Sequence, residues 1–274
     1  MERQGILSGG NVGSGGGGRT ACATRPRLAQ SGADSVTNYE LLSFTSDDAL
    51  SSAAADLWLD ELSSRAGAET SYCVALSGGR IAQKFFTAVA GRAKARSVSF
   101  AAIHFFWGDE RCVPPTDVES NFALAKAHLL DPLRILPDKI HRVRGEISPD
   151  RAASEAEAEL CRLAPMNAAG QPVLDLIFLG MGEDGHVASL FPDAPDGVVR
   201  SKSVYLPVLA PKPPPQRITI NFATITAARR VWVLASGAGK QNALRESLSA
   251  DGKLPLARVI QPREKTTLFT DIVA

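Results

Sequence analysis

Two ionisable side chains stand two residues apart in the run Gly180-Met181-Gly182-Glu183-Asp184-Gly185-His186, and their types suit proton transfer. An imidazole titrates near neutral pH, so His186 can take a proton from water, while Asp184 can orient the ring or meet a substrate. A lone histidine more often bonds a backbone carbonyl. Set in a glycine-rich loop after an apolar run, His186 favours a functional role. The same run contains a literal G-x-G-x-x-G, the dinucleotide fingerprint. That fingerprint needs a helix opening in the loop and an acid about 20 residues further on. Phe191-Pro192 interrupts any such helix, and Arg200 to Val204 holds no acid, so a dinucleotide is not expected.

Four further segments carry charge or glycine where an apolar run ends. Ser77-Gly78-Gly79-Arg80 can bring backbone N–H groups close to an anion, and Arg80 in a first helical turn opposes the helix dipole unless an anion sits nearby. Gly108-Asp109-Glu110-Arg111 offers a guanidinium able to grip an oxyanion with two N–H groups, or simply a solvated turn. Lys212 and Arg217 bracket the stiff Pro213-Pro214-Pro215, which lowers the entropy lost when cations close on an anion. In Ser236-Gly237-Ala238-Gly239-Lys240 a cation again falls in a first helical turn. Gln241 after the lysine rules out a Walker A loop.

These segments need a frame that gathers them. Tyr72–Leu76, Ala101–Trp107, Asp175–Met181, Val231–Ala235 and Leu268–Val273 read as strands, the first four of them buried, and Arg217–Phe222 alternates like a strand. Helices are expected over Asp47–Leu62, from Ile81 to a stop near Gly91, over Ser120–Leu130 before Pro132, from Ser148-Pro149-Asp150 through Leu163, and over Gly239–Ser249. Wholly apolar strands alternating with helices imply an α/β fold with a largely parallel sheet covered on both faces. Ligands bind such sheets outside the carboxyl ends of the strands, where all five loops lie.

Composition narrows the classes. With 30 Lys+Arg against 29 Asp+Glu in 274 residues, a nucleic-acid partner bound through a basic face is not expected. No apolar run approaches the roughly 20 residues of a membrane helix, so no membrane partner is expected. Cys22, Cys73, Cys112 and Cys161 share no C-x-x-C spacing and the four histidines form no H-x-x-x-H pair, so neither a metal nor a disulfide is expected and the compartment reads as cytoplasmic. Residues 1–35 hold nine of the 23 glycines and read as a disordered tail. Residues 36–274 read as one domain acting as a monomer.

From roughly residue 40 onward the chain resembles the 6-phosphogluconolactonase family. The resemblance rests on Leu76-Ser77-Gly78-Gly79, on Gly108 to Pro114, on Glu119-Ser120-Asn121 leading to His128-Leu129-Leu130, and most specifically on Leu179 to Pro192. Lys212–Arg217 and Gly237–Lys240 follow in family order. Bacterial members often read S-G-G-S-T-P where this chain has Ser77-Gly78-Gly79-Arg80-Ile81-Ala82. The resemblance implies a three-layer αβα sandwich with a Rossmann-like sheet, a phosphorylated sugar lactone as substrate and no cofactor. It makes His186 the base, with Asp184 and Arg111 in the same site. Ser77, Gly78, Gly79, Asp109, Lys212, Arg217 and Lys240 are then the expected substrate contacts, most of them gripping the phosphate. A related deaminase/isomerase family, with its own D-G-H loop, typically continues F-N-E-P where Ser189-Leu190-Phe191-Pro192 stands here. A non-catalytic sugar-phosphate sensor on the same scaffold is expected to lack the Asp184, His186 and Arg111 set.

Overall fold

The computed structural model describes residues 27–28, 38–65 and 70–273. Among the described residues ten strands form: β1 Arg27–Leu28, β2 Tyr39–Ser43, β3 Tyr72–Leu76, β4 Ile103–Trp107, β5 Asp109–Arg111, β6 Leu176–Gly180, β7 Tyr205–Leu209, β8 Gln216–Ile220, β9 Val231–Ala235 and β10 Thr266–Thr270. The helices are α1 Asp47–Ser64, α2 Arg80–Arg96, α3 Asn121–Ala125, α4 Asp131–Leu133, α5 Pro149–Leu163, α6 Asp196–Val199, α7 Phe222–Ala227, α8 Gln241–Leu248 and α9 Pro255–Ile260. The tail expected over residues 1–35 lies outside the described residues, apart from β1, which pairs antiparallel with β2.

Every residue of β3, β4 and β9 is buried, because helices cover both faces of the sheet they share, and this is why those strands are apolar throughout. That sheet runs β1-β2-β10-β9-β6-β3-β4, and all pairs but the first are parallel. On the α1/α2 face, Trp58 packs on Phe85 and Phe178 at 5.9 and 5.0 Å between ring centroids, and the aromatic row continues through Trp232 to Phe269. From β3 the chain steps outward to β4, then returns to lay β6 on β3's other side and moves on to β9. The loops after β3 and β6 therefore part company at a topological switch point, where a crevice opens.

A second sheet, β5-β8-β7, is antiparallel. The charged run Asp109–Arg111, expected as a turn, is its strand β5, held by a partner more than 100 residues away. The strand expected over Arg217–Phe222 forms at Gln216–Ile220 and belongs to this sheet. Helix α2 passes the stop expected near Gly91 and ends at Ser97, which adopts a left-handed φ of 53°. A glycine inside a helix costs only about 1 kcal/mol against alanine, less than the buried face of α2 returns. The helix expected over Ser120–Leu130 changes coil and continues past Pro132. A π turn over Lys126–Leu130 widens the path just ahead of the proline, whose ring presses on the preceding turn of a regular helix.

Candidate active site

Asp184 and His186 come from a loop with no helix in it. After β6, residues 181–195 contain no helical residue, and φ is positive at Gly185 (78°) and Ala188 (49°). This tight path folds Asp184 back on His186, so that His186 Nδ1 lies 2.5 Å from Asp184 Oδ1. Burial pushes the Asp184 carboxyl up, but the facing imidazole and its hydrogen bonds outweigh this and hold it below the ordinary carboxylate range. An ionised Asp184 only accepts, so Nδ1 is the donor, and in the neutral ring the lone pair is then on Nε2. Gly182 makes the pairing possible, since a Cβ there would lie 2.0 Å from His186 Nδ1. Phe191, read from sequence only as part of a helix breaker, packs on the imidazole at 4.7 Å.

His186 lines a cavity of about 470 Å³ at the switch point. Ser77, Gly78, Gly79, Arg80, Asp109, Arg111, Arg217 and Lys240 share its wall, so the loops singled out from sequence converge. Ser77 Oγ accepts from the Gly180 N–H at 3.4 Å and joins the two diverging loops.

The cations form two groups. Arg111 on β5 stands directly opposite Arg217 on β8 in the ladder. Like charges in that position repel, an arrangement that an anion between them would relieve. Burial, with Arg111 facing it, lowers the Arg217 guanidinium. Arg217 donates to the carbonyls of Pro214 and Lys212 at 3.0 and 3.4 Å, and Arg111 donates to the Glu119 carbonyl at 2.5 Å. At the other group, Lys240 follows the Ser236-Gly237 turn and neighbours Arg80. Burial, with Arg80 next in effect, lowers its ammonium. Lys212 is exposed and does not line the cavity. Its carbonyl, holding Arg217, is its link to the site.

Asp109 is 4% exposed and does not contact solvent as a turn residue would. Ser189 Oγ donates to its carboxylate at 2.6 Å, and Asn121 Nδ2 reaches both its carbonyl (2.9 Å) and its carboxylate (3.2 Å). Glu110 accepts from Ser120 Oγ and from the backbone N–H groups of Arg111, Asn121 and Phe122, clamping β5 to the start of α3. Burial nevertheless raises its carboxyl. Asn121, Ser189 and Glu110 were given no role from sequence. The signal was present in Glu119-Ser120-Asn121, which carried resemblance without an assigned function.

Among the described residues no cluster of three histidine, cysteine or carboxylate side chains is placed to hold a metal ion, and no helix is long and apolar enough to cross a membrane. A 6-phosphogluconolactonase of Streptomyces coelicolor is 37% identical over 188 residues, spanning 66% of this chain and 72% of its own. A rice protein described as probable 6-phosphogluconolactonase 3, chloroplastic, is 35% identical over 244 residues, spanning 84% and 73%. The structure of 6-phosphogluconolactonase from Trypanosoma brucei superposes with a TM-score of 0.74 at 26% identity, covering 84% of this chain and 95% of that one. Since the family profile of glucosamine-6-phosphate isomerases and 6-phosphogluconolactonases matches residues 45–269, well over half the chain, the protein belongs to that family.

Proposed function

We propose that the chain hydrolyses 6-phospho-D-glucono-1,5-lactone to 6-phospho-D-gluconate, the second step of the oxidative pentose phosphate pathway. The observation that carries the reading is the Asp184–His186 hydrogen bond, with the imidazole opening onto a cavity walled by two separate groups of cations. His186 Nε2 takes a proton from water as its oxygen bonds to the lactone carbonyl carbon. Asp184 stabilises the imidazolium that results. The oxyanion develops toward Arg111, with Arg217 beside it. The ring C–O bond then breaks, and the imidazolium returns its proton to the departing alkoxide. Atoms and charge balance without a covalent intermediate.

We assign Arg217 to the lactone end, because its guanidinium lies 5.8 Å over the Phe191 ring that packs on His186, and the phosphate to Gly78, Gly79 and Lys240. A positioned base supplies about 10²–10⁴-fold and an oxyanion donor about 2.7–4 kcal/mol, which with orientation suits a lactone that already hydrolyses slowly unaided. We place the reaction in the cytoplasm on the strength of the cysteine pattern, and Cys73, Cys112 and Cys161 are unpaired thiols.

The test is lactone decay, with the lactone generated in situ by glucose-6-phosphate dehydrogenase. The chain should accelerate decay, and His186→Ala should lose at least about 100-fold in kcat while binding 6-phosphogluconate nearly as before. Full turnover in a folded His186→Ala variant would remove the base. Ammonia release from glucosamine 6-phosphate, with no lactone hydrolysis, would assign the chain to the other branch of its family.

A further inference from the structure

Arg80 occupies a position where an arginine is otherwise out of place. It opens α2, and the first turn of a helix carries a partial positive charge. The N-cap, Gly79, has no side chain to satisfy the first N–H groups of α2. Arg80 nonetheless lines the cavity, close enough to Lys240 for the two charges to act on one another.

Neighbouring carboxylates do not cancel this charge. Lys84, one turn further along α2 and also on the cavity wall, is held by Asp47 at 2.9 Å and Asp48 at 2.8 Å on the first turn of α1. Asp271 accepts from Ser236 Oγ at 2.7 Å and from the Gly237 N–H at 3.1 Å. Glu183, beside Gly239, and Asp271 both act on Lys240 at a distance, too weakly to outweigh its burial and Arg80. Among the described residues, no hydrogen bond or ion pair reaches the Arg80 guanidinium or the Lys240 ammonium. Two unpaired positive charges thus face one end of the cavity, next to the free N–H groups of α2.

We propose that Arg80 is a specificity-determining residue that, together with Lys240, makes this end of the cavity select a doubly ionised phosphoryl group over a singly ionised or uncharged one. Two unpaired cations match a dianion. With Lys240 alone, a monoanion would balance the charge nearly as well. The inference rests on the proposed lactonase reading for the identity of the ligand. It concerns charge discrimination only.

The test uses 6-phosphogluconate, whose phosphoryl group loses its second proton near pH 6. Its affinity for the full-length chain and for Arg80→Ala is measured by calorimetry at pH 7.5 and pH 5, with gluconate as the uncharged-tail control. The wild type should bind the phosphorylated acid more tightly at pH 7.5 than at pH 5. Arg80→Ala should bind it about tenfold or more weakly at pH 7.5 and should lose most of that pH difference. Arg80→Lys should restore part of both. The other ionisable side chains of the cavity are common to all variants, so the comparison between variants isolates position 80. Equal affinity of wild type and Arg80→Ala at pH 7.5, or a pH difference unaltered by the substitution, would overturn the inference. Turnover of the lactone by the wild type, measured in parallel, reports separately on the lactonase reading. In kinetics Arg80→Ala should raise KM more than it lowers kcat, and the reverse pattern would also overturn the proposal.

Discussion

Replacing Gly182 by alanine tests the dyad without touching either of its members. An added Cβ would sit 2.0 Å from His186 Nδ1, 2.2 Å from His186 Cε1 and 2.5 Å from Asp184 Oδ1. Ordinary contact begins near 3.4 Å, so the imidazole must retreat by more than an ångström. Gly182 is not among the glycines with positive φ, so alanine can adopt the local backbone and the strain falls on the two side chains. A displacement of about 1 Å in a catalytic group costs roughly 10²-fold, and outright loss of the base up to about 10⁴-fold. The fold should suffer less, since overpacking against movable side chains costs about 1–3 kcal/mol. In a chain of this size that lowers Tm by roughly 2–4 °C per kcal/mol. The lactone-decay assay should therefore show Gly182→Ala down at least about 100-fold in kcat, with a cooperative melt only modestly shifted. In the double variant Gly182→Ala/His186→Ala the colliding ring is gone, so its rate should match that of His186→Ala alone. A Gly182→Ala enzyme within threefold of wild type, or a double variant far below His186→Ala, would refute the argument that this glycine exists to admit the dyad.

The same steric logic applies across the cavity, where a Cβ on Gly78 would lie 1.8 Å from Asn121 Oδ1. Gly78→Ala should destabilise by about 1–3 kcal/mol, and Asn121→Ala by a similar amount through the Asp109 carbonyl it abandons. The double variant should melt well above the additive expectation, and strict additivity in thermal denaturation would show that the two positions do not meet. Acid stability turns on Glu146, which the two-pronged guanidinium of Arg142 (2.7 and 2.9 Å) holds down to about 2. A carboxyl depressed in the folded state stabilises above its unfolded value near 4.5 and loses that contribution as pH falls toward 2. At this exposure the pair is worth at most about 1 kcal/mol. Glu146→Gln should thus lower Tm by a few degrees at pH 7 and by only about a quarter as much at pH 2.5, and an equal deficit at both would separate the stability of the fold from this pair.

What could be read from the residues tracks the range over which each feature is encoded. Tyr72–Leu76 and Val231–Ala235 match the observed strands residue for residue, because burial on both faces leaves an unbroken apolar run bounded by turns. Strand β2 was missed because Tyr-Glu-Leu-Leu-Ser near the sheet edge is only half buried and carries no such run. Strand β5 was missed for a stronger reason. Asp-Glu-Arg has no strand character of its own, and its pairing partner is supplied by β8. The pairing of Asp184 with His186 was legible, since two residues of separation in a glycine-rich loop already limit how the two side chains can lie. The facing of Arg111 and Arg217 was not, since it depends on the register of a ladder.

Lys212 shows where a charge pattern misdirects. Sequence offered its ammonium as a phosphate ligand, because a cation beside stiff prolines suggests a clamp. In the structure the carbonyls of Lys212 and Pro214 do the work, by accepting from Arg217 and fixing the direction of its guanidinium. A rigid backbone carbonyl is supplied by any residue type, so the lysine side chain carried no information about it. The prolines keep those carbonyls in place, and the cation they serve is Arg217, not Lys212. Substituting Lys212 should therefore leave the cavity's charge unaltered, whereas loosening the proline run should disturb Arg217 through the carbonyls that hold it.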